Sequence, residues 1–155
     1  MKDDVVHLRV PAQPEYLALV RMVIAGTARI DPLLDDERVD DLRVIVSEAC
    51  TNAIEALRLR AEDQGLDPDA LPSAISIECH LSSSRVEVII ADEGGGFDPD
   101  DLSALPPVTD PSRLRIERGL GIPLIKALSD EAEITSGPEG TRVRVVLDAE
   151  APATT

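Results

Sequence analysis

Residues 75–90 constrain this chain more than any other stretch, because they carry two apolar stripes in strict alternation. Ile75, Ile77, Cys79 and Leu81 alternate with Ser76, Glu78 and His80. A serine-rich turn follows, and then Val86, Val88 and Ile90 again share one side. A period of two sends every second side chain to the same face, so the pair reads as a β-hairpin with one apolar side. That side must be covered, and two stretches upstream can cover it. Residues 14–30 have helical spacing and open on a proline, which a first helical turn tolerates. Residues 42–59 place Leu42, Ile45, Val46, Ala49, Ala53 and Leu57 at the three-and-four spacing of an amphipathic helix. The acidic run Asp35-Asp36-Glu37 leads into that helix and suits the positive end of its dipole.

The remaining elements follow the same rules. Val6, Leu8 and Val10 alternate as a strand ended by Pro11, and Asp31-Pro32 breaks the first helix. Residues 60–73 form a polar connector, and residues 98–117 a long loop with a helical turn near its start. Helical spacing resumes over 122–129. Residues 133–136 and 141–147 then form a hairpin around Gly137 and Gly140, with Val143, Val145 and Leu147 inward. The expected fold class is α+β: a two-layer α/β sandwich with three helices on one face of a mixed, mostly antiparallel sheet. Residues 1–148 form one domain and 149–155 a disordered tail.

Composition excludes several functions. A net charge of −15 with no basic stripe is repelled by phosphate, which argues against nucleic acid as a direct partner. The only aromatics are Tyr16 and Phe97, so base stacking is also disfavoured. No apolar run is long enough to span a bilayer, and the first ten residues lack the pattern of a signal peptide. Cys50 and Cys79 have no metal-ligand spacing and read as free buried thiols in a reducing compartment, so the expected location is cytoplasmic.

Three local signals carry chemistry. Glu48 and Asn52 lie one turn apart along the edge of the apolar face of helix 42–59. There a carboxylate can serve as a base and a carboxamide oxygen as a Mg²⁺ ligand, although any long helix can hold such a pair on its solvated side. Asp92 closes a buried strand and is followed by Gly94-Gly95-Gly96. The glycines permit close approach to the backbone, and the carboxylate can accept a hydrogen bond from the exocyclic amine of an adenine. An ordinary glycine turn is the alternative. Finally Arg118-Gly119-Leu120-Gly121 opens a helix, with Arg113 and Arg115 upstream. Exposed N–H groups and the macrodipole at such a start suit an anion, while a plain glycine linker with solvated arginines fits equally well.

The order of these signals resembles the GHKL (Bergerat-fold) ATPase superfamily, shared by gyrases and histidine kinases. EACTNAIEAL looks like its N box, DEGGGF like its first glycine box and RGLGIPLIKALSDE like its second. The short length and the closing SDEAEITSGPEGTRVRVVL look most like the anti-sigma factor serine/threonine kinases. The resemblance spans roughly residues 5–147. It implies ATP and Mg²⁺ as cofactors, with Glu48 as general base and Asn52 as the Mg²⁺ ligand. Asp92 would bind the adenine amine, with Gly94 and Gly96 shaping that pocket and Thr141 close by. Residues 98–117 would form a lid, Gly119, Leu120 and Gly121 would hold the phosphates, and Arg118 would contact the γ-phosphate. One departure stands out: the family often has a histidine shortly after the N-box asparagine, where this chain continues Glu55-Ala56-Leu57.

The activity so implied is that of an ATP–Mg²⁺-dependent protein serine/threonine kinase acting as an anti-sigma factor. Its partners would be a sigma factor and an anti-anti-sigma (STAS-type) protein, and a homodimer is left open. A non-catalytic module that sequesters a regulator is the first rival. A stand-alone histidine-kinase-like ATPase domain is the second, but His7 and His80 both fall in strand patterns, so the phosphoacceptor would have to come from elsewhere.

Overall fold

A computed structural model describes residues 4–30, 34–65, 67, 74–92, 121–137 and 140–149. Five strands form one sheet: β1 (Asp4–Pro11), β2 (Ala74–Leu81), β3 (Arg85–Asp92), β4 (Glu131–Gly137) and β5 (Gly140–Asp148), in the order β1-β2-β3-β5-β4. Three helices cover it: α1 (Leu17–Ala28), α2 (Asp36–Asp63) and α3 (Gly121–Leu128). The α+β sandwich expected from the alternation is the architecture found. Its sheet is simpler than expected, because every described strand pair is antiparallel. The two hairpins reverse the chain directly, and β1 and β5 each run opposite to the strand they join.

The apolar stripes meet in a single core. Ile75, Ile77, Cys79 and Leu81 on β2, Val86, Val88 and Ile90 on β3, and Val143, Val145 and Leu147 on β5 are all buried. Val20 and Ile24 of α1, Leu42, Ile45, Val46, Ala49 and Ala53 of α2, and Ile125 of α3 close over them. The opposite face of the sheet is mostly polar, with Val146 buried among its charged side chains. There Arg144 on β5 donates from Nε to Glu87 on β3 at 2.7 Å and reaches Glu131 on β4 at 3.4 Å, tying three strands across the outside.

The helix boundaries differ from the periodicity in instructive ways. Residues 14–16 form a 3-10 turn before α1 begins, and the Leu17 N–H bonds back to the Pro14 carbonyl. The second helix starts six residues before Leu42. Asp35 caps it, its Oδ1 accepting the Arg38 N–H at 2.8 Å, so the acidic run is the cap and first turn rather than a lead-in. At its far end the helix takes in residues 60–63 of the expected connector. Gly65 then stops it with φ +70°, its N–H bonding to the Glu62 carbonyl at 3.0 Å. The Ala149 N–H donates to the Ser84 carbonyl at 2.9 Å, just past β5. The break at Asp31-Pro32, the loop 98–117 and tail residues 150–155 lie outside the described residues.

Both cysteines are fully buried, Cys50 on α2 and Cys79 on β2. Burial alone pushes each thiol up to about 12. The sign of the consequence is fixed. Above the ordinary thiol value the unfolded chain loses these protons while the folded chain keeps them, so stability falls as pH rises from about 9 towards 12. Each thiol contributes a slope of up to about 1.4 kcal/mol per pH unit in that window. Urea midpoints measured from pH 8 to 11 should fall, and the fall should be shallower in a Cys50→Ala/Cys79→Ala variant. An equal slope in the two proteins would refute this origin.

Candidate nucleotide-binding site

The site builds on the end of the central strand. Along β3 burial alternates, and Asp92 continues the inward series Val86, Val88, Ile90. A carboxylate therefore occupies a core-facing position and keeps only 6% of its surface exposed. Its Oδ2 accepts the Thr141 N–H from the neighbouring β5 at 2.9 Å. Its Oδ1 is buried and has no hydrogen-bond partner among the described residues. A buried, unpaired carboxylate oxygen is costly unless something donates to it. An amine arriving with a ligand meets that need, which is the role expected of Asp92 opposite an adenine.

Thr141 enters the site through its backbone N–H, which holds Asp92 in place. Glu48 and Asn52 lie one turn apart on α2, both half-buried at the rim of the buried stripe. Arg21 on α1 donates to the Ser47 hydroxyl at 2.7 Å, fixing α1 against α2 one residue before Glu48. The second helix packs on β3 and β5, the strands that carry Asp92 and Thr141, so both pairs belong to one layer interface. Gly121 is the first residue of α3, with Pro123 inside the first turn as its chemistry demands. Gly94, Gly96, Arg118, Gly119 and Leu120 lie outside the described residues, as do Arg113 and Arg115.

The buried Asp92 oxygen fits a hydrogen-bond donor such as a base amine. Among the described residues no three or more His, Cys, Asp or Glu side chains cluster as a metal cage. The amide oxygen of Asn52 is a single hard ligand, of the kind Mg²⁺ combines with phosphate oxygens and water. A groove of about 310 Å³ between the start of α1 and the second half of α2, lined by Leu17, Thr51, Ile54 and Arg58 among others, contains none of the site residues. Among the described residues no helix is long and apolar enough to cross a membrane.

The chain as a whole has known relatives. Residues 10–147 match the family described as histidine kinase-like ATPase domain. The chain is 37% identical over 135 residues to the serine-protein kinase RsbW of Bacillus subtilis, covering 84% of this chain and 78% of the relative. It is 32% identical over 137 residues to the serine-protein kinase RsbW of Halalkalibacterium halodurans, covering 86% and 76%. Among solved structures, the RsbU and RsbW domains of a Mycobacterium tuberculosis protein superpose with a TM-score of 0.64 at 20% identity, a likeness of fold. That match covers 97% of this chain and 34% of the larger one. The match over residues 10–147, together with relatives above 30% identity along most of their length, means that the chain belongs to the histidine kinase-like ATPase domain family and, within it, to the family of the RsbW serine-protein kinases.

Proposed function

We propose that the chain is an ATP-dependent protein serine kinase and anti-sigma factor. It binds a sigma factor and phosphorylates a serine of an anti-anti-sigma protein in the cytoplasm. The observation that carries the nucleotide part is Asp92, a buried carboxylate with one oxygen held by the Thr141 N–H and the other without a partner among the described residues. The relatives named serine-protein kinase support phosphoryl transfer to serine over mere sequestration.

In this reading the residues divide the work. Asp92 accepts the adenine amine and orients the base. The start of α3 at Gly121, with Gly119, Leu120 and Arg118 before it, receives the phosphates, and Gly94 and Gly96 shape the adenine pocket. Asn52 offers its amide oxygen to Mg²⁺, which when bound would neutralise charge on the phosphates. Glu48 takes the proton from the serine hydroxyl as its oxygen bonds to the γ-phosphorus and the bond to ADP breaks. Such transfers depend on positioning and charge neutralisation more than on covalent chemistry by the protein. The acidic surface suits protein partners with basic patches.

The test is transfer of label from γ-labelled ATP to a serine of an anti-anti-sigma protein from the same genome. Labelled phosphoserine, with capture of a sigma factor by the unmixed kinase, is expected. A chain that captures the sigma factor and binds ATP but never labels any such partner would overturn the kinase reading.

A further inference from the structure

Arg38 lies in the first turn of α2 and joins three elements. Its guanidinium pairs with Asp130, donates from Nη1 to the Leu128 carbonyl at 3.2 Å and lies 3.9 Å from Asp41. Leu128 is the last residue of α3. Asp130 Oδ2 also accepts the Asp148 N–H at 2.7 Å, at the end of β5. The Arg38 side chain is 19% exposed, and its Nε is buried without a hydrogen-bond partner among the described residues. A partly desolvated pair of this kind contributes little net stability, so what it supplies is geometry.

The third helix packs along α2. Its C-terminal end meets Arg38, only two residues after α2 begins at Asp36. A helix fixed there can lie along α2 only by running antiparallel to it, since the other direction leads past the end of α2. Seven steps of about 1.5 Å carry the axis back from Leu128 to Gly121. That length, about 10 Å, carries the start of α3 from the Arg38 end of α2 towards the stretch that bears Glu48 and Asn52.

We infer that Arg38 is a positioning residue for the phosphate end of the site. By gripping the last carbonyl of α3 and Asp130, it sets the axial register of α3 on α2. That register sets the separation between Gly121 and the Glu48–Asn52 pair. Its charge also complements the negative end of the α3 dipole, whose positive end faces the phosphates. The inference rests on the nucleotide reading proposed above.

The experiment compares two ligands on the full chain by calorimetry, well below the melting temperature of each protein. ATP with Mg²⁺ uses both ends of the site, whereas adenosine reaches Asp92 and has no phosphates. Arg38→Met should weaken ATP by about fivefold or more and leave adenosine unchanged. Arg38→Lys should recover part of the loss. Asp130→Asn keeps an acceptor for the Asp148 N–H and should show the same selective loss in smaller measure, which preserves the test if Arg38→Met folds poorly. Parental affinity for both ligands, or equal weakening of both, would overturn the positioning role. A parent chain that binds neither ligand would overturn the nucleotide reading itself, and this inference with it.

Discussion

Replacing Glu48 by glutamine is expected to slow phosphoryl transfer by about 10²–10⁴-fold, the usual span for losing a positioned general base. Glutamine keeps the length of the side chain and nearly the same helix propensity. Glu48 is half-buried on α2, on the rim of the core rather than in it, so the fold has no reason to change. ATP affinity should therefore hold within about twofold while single-turnover transfer to the partner collapses. Asn52→Ala separates the two roles on the helix: it removes a metal ligand and should weaken Mg²⁺-dependent ATP binding as well as turnover. If Glu48→Gln transfers phosphate at the parental rate, the base lies elsewhere.

The second large effect is on affinity. Asp92→Asn should weaken ATP binding by roughly 10- to 100-fold, the equivalent of one hydrogen bond to a charged group. The asparagine oxygen can still accept the Thr141 N–H, so the β3–β5 contact survives. What reaches the pocket in place of Oδ1 is an NH₂, which faces the adenine amine donor to donor. The free protein should melt no lower than the parent, because a buried carboxylate with one unpaired oxygen has become neutral. Thermal shift with and without ATP–Mg²⁺ reads both effects at once. A variant that melts as the parent does and keeps the full ATP shift would remove Asp92 from the adenine pocket.

The residues that made this fold legible are those whose role is local. The alternation of Ile75 to Leu81 and of Val86 to Ile90 needs no distant partner to be read, and it placed both central strands. Extending the same parity by one step reaches Asp92, so its inward direction was available from sequence before any motif was invoked. The start of α2 was harder. Asp36, Glu37, Asp40 and Asp41 dilute the apolar spacing, and the cap at Asp35 is a single side-chain bond that composition does not announce. Buried Val39, three before Leu42, was the available clue. Arg38 and Asp130 could not be paired by inspection, because 92 positions separate them. The resemblance places Thr141 near the adenine, and its contact with Asp92 is made through a backbone group that any residue but proline could supply.

The bond from Thr141 to Asp92 spans 49 positions of the chain. Glu48, Asn52 and Asp92 are all synthesised before β5, but until β5 docks beside β3 the carboxylate of Asp92 has neither its holding N–H nor its buried setting. Closing a loop of that length is paid in chain entropy, and nothing local returns it until the strand pairs form. Until then α2 can pack against β3, but Asp92 at the strand end lacks the N–H that holds it. The candidate site is therefore completed by long-range strand pairing, when β5 docks between β3 and β4.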